Sequence, residues 1–159
     1  MRFQLLFFLG APTTPKSAVG QPEIVAYFDG SDDAYAAVVY SRWTLADGSI
    51  DVNLAIAKAK VTPLKRISTP RSELNGAVLL TRLVLFYLKS CSKAGVIPKT
   101  VWFLGDSECT LASIEKTSGA LGEYFGNRVG EIIDNQSRIQ KLCPVGLDGE
   151  WCSGDNFGP

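Results

Sequence analysis

Histidine is absent from all 159 residues. That absence removes Ser-His-Asp and Cys-His nucleophile schemes from the chain, and it removes His-ligated zinc. Acid–base or metal chemistry has to rest on carboxylates. Net charge is missing too, because sixteen Lys and Arg balance sixteen Asp and Glu. A neutral chain exerts no long-range pull on a polyanion. A nucleic-acid role would need a local basic patch, bound metal ions or a larger protein around it. No apolar run approaches the ~20 residues that span a membrane, so no membrane partner is expected. The four cysteines, Cys91, Cys109, Cys143 and Cys152, contain no Cys-x-x-Cys pair. A zinc knuckle or redox motif is therefore disfavoured. Their wide, irregular spacing points to buried free thiols rather than a disulfide framework.

What is present suits one globular domain: 46% of residues are hydrophobic and 20% charged, in a chain long enough for a real core. The first eleven residues hold one Arg, a short apolar stretch and then small residues, a weak signal-peptide pattern. Gln4 inside it argues against secretion, and an intracellular location is expected. Residues 12–22 are rich in Pro, Ser, Thr and Gly and read as a linker. Residues 1–22 are thus expected to be a leader outside the domain, which would span 23–159.

Ile24–Phe28 is a compact run of strand formers that ends in the turn cluster Asp29-Gly30-Ser31-Asp32-Asp33. Ala34–Tyr40 reads as a second strand, Asp47-Gly48 as a hairpin turn, and Val52–Val61 as a third strand. The period then changes. Thr69-Pro70-Arg71-Ser72-Glu73 reads as a helix start, with Thr69 at the cap and Pro70 in the first helical position. Leu74, Ala77, Val78, Leu85 and Leu88 would form its buried face, ending near Cys91. Val101–Leu104 reads as a strand closed by Gly105-Asp106-Ser107, with helices over 108–116 and 124–142. The second would bury Val129, Ile132, Ile133 and Ile139. Glu150-Trp151-Cys152 would start a last strand.

Three acids fall at element boundaries: Asp29 after the first strand, Glu73 in the early turns of the long helix, and Asp106 after the fourth strand. Strand ends and helix starts of an α/β sheet gather at one rim. Carboxylates brought together there suit Mg²⁺, a hard cation with oxygen ligands, and two such ions about 4 Å apart can activate water and neutralise a phosphate. Singly, each acid reads as an ordinary turn or helix-dipole residue. The Asp29–Asp33 run lacks the closing Glu of an EF-hand loop. Gly105-Asp106-Ser107 without a His is no esterase elbow.

In combination, four blocks are similar to the ribonuclease H-like domains of BEL/Pao-type retroelements. Tyr27-Phe28-Asp29-Gly30-Ser31 with Ala34–Tyr40 resembles their first hairpin. Lys58–Leu64 followed by Thr69–Leu74 resembles the third strand and helix entry. Gly105-Asp106-Ser107-Glu108-Cys109-Thr110 resembles the catalytic turn, and Phe125–Val129 with Glu131-Ile132 the later helix. The resemblance implies a mixed five-stranded sheet, three antiparallel strands then parallel additions, flanked by helices. It implies cleavage of the RNA strand of an RNA/DNA hybrid, with two Mg²⁺ or Mn²⁺ ions held by Asp29, Glu73 and Asp106. Gly30, Ser31, Arg71, Asn127 and Arg128 would contact the hybrid, read by shape and 2′-OH groups. Partners would be reverse transcriptase and other domains of a polyprotein. The family places a fourth Asp after an Asn near the end. Here Asn156 takes that Asn's place and no Asp follows, so the expected domain is cut short in its last motif. The alternative is an inactive remnant that folds and at most binds nucleic acid weakly. A third reading, a secreted disulfide domain, rests only on the N-terminal run and the cysteine count.

Overall fold

The computed structural model describes residues 4–8, 13–62, 67–115, 122–143 and 151–153. In chain order the elements are β1 (Gln4–Phe8), β2 (Glu23–Gly30), β3 (Ala34–Thr44), β4 (Ile50–Val61), α1 (Thr69–Lys93), β5 (Thr100–Gly105), α2 (Glu108–Glu115), α3 (Glu123–Leu142) and β6 (Trp151–Ser153). One sheet carries all six strands in the order β1-β4-β3-β2-β5-β6. β2, β3 and β4 form an antiparallel meander, while β5 joins β2 and β6 joins β5 in parallel. This is the mixed, helix-flanked sheet expected of the ribonuclease H-like class. It has one strand beyond the five: β1, within the stretch read as a leader, pairs antiparallel with β4 from Gln4 opposite Lys60 to Phe8 opposite Ile56.

Strand periodicity decides which face is covered. Ile24, Ala26 and Phe28 of β2 and Ala37, Val39 and Trp43 of β3 are buried and alternate with more exposed neighbours, as the pleat requires. α1 lies across these two strands. Its buried set includes Leu74, Ala77, Val78, Leu85 and Leu88, the residues whose spacing marked them. α1 is long and apolar enough to cross a membrane by length and composition, but 72% of that window is buried inside the fold, as in a core helix. α3 packs on α1 through Val129, Ile132 and Ile139. Ile133, expected on the same side, is exposed, because the next residue along a helix is turned by about 100°.

The start of α1 differs from expectation by one position. Ser68 occupies the cap with extended backbone, and Thr69 is already helical. The Thr69 hydroxyl donates to Asp32 Oδ1 in the β2–β3 turn, so it ties the helix start to the sheet instead of capping it. The helix ends at Ala94, followed by Gly95 at φ 73°. That left-handed conformation suits glycine at a helix terminus.

Candidate functional site

The site is built where β2, β5 and the first turns of α1 converge. β2 and β5 pair in parallel from Glu23 opposite Thr100 to Tyr27 opposite Leu104. Asp29 and Asp106 each stand two residues beyond that last pair. Pleat alternation therefore turns both towards the face of Tyr27, at the ends of neighbouring strands roughly 4.8 Å apart. Both are exposed, and both line an open groove of about 420 Å³ together with Tyr27, Ala36, Val38 and Lys58.

Glu73 reaches this rim from the other face, where α1 lies. Two glycines permit the approach. A Cβ on Gly30 would stand 2.4 Å from the backbone N of Glu73 and 2.6 Å from its Cα. A Cβ on Gly105 would stand 2.2 Å from Cε1 of Phe28. Any side chain at either position would push β2 away from α1 or displace the Phe28 ring.

Hydrogen bonds already engage two of the acids. Asp29 Oδ1 accepts the Gly30 N–H at 2.7 Å. Glu73 Oε2 accepts the Ser107 hydroxyl at 2.6 Å and the Thr110 hydroxyl at 3.4 Å. Ser107 in turn accepts the Thr110 N–H at 3.2 Å, the bond of a helix N-cap. Ser107 thus docks the start of α2 onto Glu73. A set of carboxylate oxygens fits Mg²⁺ or Mn²⁺ chemically. Yet among the described residues no three His, Cys, Asp or Glu stand close enough together to hold an ion. Asp29 and Asp106 share a face, and Glu73 is held by Ser107.

The residues expected to contact a nucleic acid fall into two groups. Gly30 and Ser31 sit at the rim, in the β2–β3 turn. The Ser31 hydroxyl donates to the Ala34 carbonyl at 3.1 Å and accepts the Ala34 N–H at 3.2 Å, closing that turn. Arg71, Asn127 and Arg128 lie elsewhere. Arg71 and Asn75 are four residues apart on one side of α1, and Glu73 between them is turned about 200° away from either. On that side Arg71 stacks over the Tyr124 ring at 4.8 Å and Arg128 over the same ring at 5.2 Å. Asn75 Oδ1 accepts from Tyr124 Oη at 3.0 Å and from Arg128 Nε at 3.2 Å. Asn127 is exposed beside them. Sequence reasoning missed Asn75 and Tyr124. The signal was present as two i,i+4 pairs, Arg71 with Asn75 and Tyr124 with Arg128.

The cysteines offer no nucleophile among those described. Cys91 and Cys143 are buried free thiols, and burial pushes the Cys91 thiol up to about 11. The side chains of Cys109 and Cys152, and residues 154–159 with the expected terminal motif, lie outside the described residues.

Residues 12–106 match the family model of the Pao retrotransposon-like RNaseH-like domain. The matched stretch runs from before β2 to Asp106 and so contains all three acids. No curated protein matches the chain. Among solved structures, it is similar to an N-terminal RNase H domain from Mycobacterium tuberculosis, solved as a fusion with maltose binding protein. Identity there is 18% and the TM-score 0.48, with 86% of each chain covered. It is also similar to RNase H1 from the halophilic archaeon Halobacterium salinarum, at 15% identity and a TM-score of 0.31, with 82% of this chain and 84% of that one covered. With 95 of its 159 residues inside the family model, the chain belongs to the Pao retrotransposon-like RNaseH-like domain family.

Proposed function

We propose that the chain is a metal-dependent endonuclease domain that cleaves the RNA strand of RNA/DNA hybrids during reverse transcription of a retroelement. One observation carries this reading: the register of β2 against β5 brings Asp29 and Asp106 to adjacent strand ends on one face, and the bare backbone of Gly30 lets Glu73 approach the same rim. Water attacks the phosphorus in line, and the bond to the leaving oxygen breaks. Two Mg²⁺ or Mn²⁺ ions held by Asp29, Glu73 and Asp106 would supply the activated water and neutralise charge on the phosphate. The chain's own part is placement. Gly30 N–H orients Asp29, and Ser107 orients Glu73. Gly30 and Ser31 let a backbone come close at the rim, and Arg71 and Arg128 give the hybrid a cationic flank beside the Asn127 amide. Reverse transcriptase and neighbouring polyprotein domains would be the partners, inside the cell.

A second reading, an inactive remnant that binds nucleic acid weakly, is favoured by one observation. Among the described residues no three acids are gathered to hold an ion. The two readings part on cleavage of a labelled RNA strand in a hybrid with Mg²⁺ and with Mn²⁺, using the full chain and Asp106→Asn. We expect cleavage by the natural sequence and a loss of roughly 10³-fold in the variant, with both proteins melting at the same temperature. Cleavage that survives Asp106→Asn sinks the nuclease assignment. A folded natural chain that cleaves nothing establishes the remnant.

A further inference from the structure

The backbone of Glu73 is fixed more firmly than its carboxylate. Bare Gly30 brings β2 directly against the Glu73 backbone. The preceding Ser72 is buried and donates to the Ala34 carbonyl at 3.4 Å. Beyond Cα, the side-chain torsions of a glutamate can still carry its carboxylate between neighbouring partners. In this fold the carboxylate has taken its partners on the α2 side. Oε2 accepts the Ser107 hydroxyl at 2.6 Å and the Thr110 hydroxyl at 3.4 Å. Ser107 is 8% exposed and Thr110 2%, so water competes little for either hydroxyl and both bonds gain strength. The same Ser107 hydroxyl oxygen accepts the Thr110 N–H, and the Ser107 carbonyl accepts the Leu111 N–H at 3.0 Å. Glu73, Ser107 and the first turn of α2 thus form one hydrogen-bonded unit. Asp29 and Asp106 are exposed at the rim instead, and among the described residues the acids are not gathered into a group of three. The Glu73 carboxylate therefore faces two rival claims, from buried hydroxyls and from any hard cation at the rim.

We propose that Ser107 and Thr110 hold the Glu73 carboxylate in a resting position on α2, and that Glu73 leaves it for the rim when a divalent cation occupies Asp29 and Asp106. The proposal rests on the metal-dependent reading above and adds a regulation to it. Leaving has a cost. The Ser107 hydroxyl loses its acceptor in a buried place, and an unpaired buried donor is unfavourable. Thr110 can turn back to the carbonyl four residues earlier, as helical threonines do. Ser107, at the cap, has no helical turn before it to offer one. The bonds to α2 therefore lower the cation affinity of the rim. By reciprocity, a cation at the rim loosens the first turn of α2. Ser107 and Thr110 are positioning residues, since they act through Glu73 and need not touch ion or substrate.

The test is Mn²⁺ binding by the full chain, read from the loss of the free-ion EPR signal. Ser107→Ala should tighten binding roughly 10-fold, the lower end for one hydrogen bond to a charged group. Ser107→Gly should do the same while sparing most of the helix cap. Ser107→Thr keeps the hydroxyl and should bind as the natural chain does. Thr110→Val, which removes the longer bond, should tighten binding by less than about 3-fold. In a Glu73→Gln background, Ser107→Ala should change nothing, because the effect passes through that carboxylate. A second readout is hydrogen exchange at the Thr110 amide. Mg²⁺ should quicken it by roughly 3-fold or more in the natural chain and leave it unchanged in Asp106→Asn. Melting temperatures identify any variant that fails to fold, and Ser107→Gly and Thr110→Val then decide. Weaker binding by the Ala and Gly variants would mean that Ser107 presents Glu73 to the ion, and it overturns the proposal. Unchanged binding overturns it too, as does tightening that persists in Glu73→Gln. Asp106-dependent cleavage alongside weakened binding would discard the resting position and keep the nuclease. Tightening through Glu73 in a chain that cleaves nothing would do the reverse. No Mn²⁺ binding by the natural chain or by any serine variant overturns both.

Discussion

The two ends of α1 treat polar groups in opposite ways. In its first turns, Arg71, Glu73 and Asn75 face other elements through donors and acceptors left partly open to solvent. Further along, the polar groups are closed on each other. Thr81 is buried, donates to the Val78 carbonyl at 3.0 Å and accepts from Asn135 Nδ2 at 3.1 Å. Arg82 makes a two-pronged pair with Glu131, at 2.6 and 2.9 Å. Tyr87 is buried, and that burial raises its hydroxyl above the ordinary tyrosine value. The same helix pair, α1 with α3, thus holds Arg82 against a carboxylate and Arg71 and Arg128 against a ring. A folded domain neutralises its cations where only the fold needs them. Arg71 and Arg128, outside the described ion pairs, stay open to water or to an anion.

The sharpest way to break this division is to strike the first turns of α1 where they meet the sheet. Gly30→Ala puts a Cβ against the backbone of Glu73, and backbone cannot rotate aside as a side chain can. We expect a stability loss of about 3 kcal/mol from overpacking, read by urea titration, together with loss of hybrid cleavage as Glu73 is displaced. If Gly30→Ala melts as the natural chain does, the close approach is not what sets the position of α1.

The far end should respond in stability alone. Thr81→Val keeps the shape but leaves Asn135 Nδ2 buried without its acceptor, at a cost of about 1–3 kcal/mol. Adding Asn135→Leu removes the orphaned donor and should recover most of that loss, since replacing both partners by apolar groups is close to neutral. Hybrid binding and cleavage at 25 °C should be unchanged in both proteins. A change in binding would mean that the α1–α3 interface transmits to the rim, and the division into two ends would fail.

The sequence made much of this visible, and the misses have physical causes. The meander of β2, β3 and β4 was legible because runs of strand formers are punctuated by the turn cluster Asp29–Asp33 and by Asp47-Gly48, which fits its turn. Gly48 has φ 82° there. The buried face of α1 was legible from its spacing. The three acids were legible as boundary residues, because apolar strands end in polar turns whatever those turns do. β1 was not: five residues whose described pairing partner, β4, lies some fifty residues away carry no local signal that separates a strand from a leader. The cap of α1 was misplaced because Ser68 and Thr69 are both able to cap, and Asp32, thirty-seven residues from Thr69, decides between them. The Tyr124–Asn75 contact was hidden for the same reason. Each helix displays its own i,i+4 pair, but nothing local says that the two pairs meet.

Arg82→Gln is the smallest and most discriminating change. Arg82 and Glu131 are partly exposed, and such a pair contributes below about 1 kcal/mol once solvent screening is counted. The variant should melt within a few degrees of the natural chain. It also frees Glu131, which makes the region more acidic without touching Arg71 or Arg128. If the α1–α3 surface attracted a polyanion merely through its summed charge, Arg82→Gln would weaken hybrid binding about as much as Arg128→Gln does, since each removes one positive charge from the same helix pair. If guanidinium placement governs, Arg82→Gln leaves both affinity and salt slope where they were. Charge count and geometry then separate in one pair of titrations, because Arg82 is already satisfied by a carboxylate and Arg128 is not.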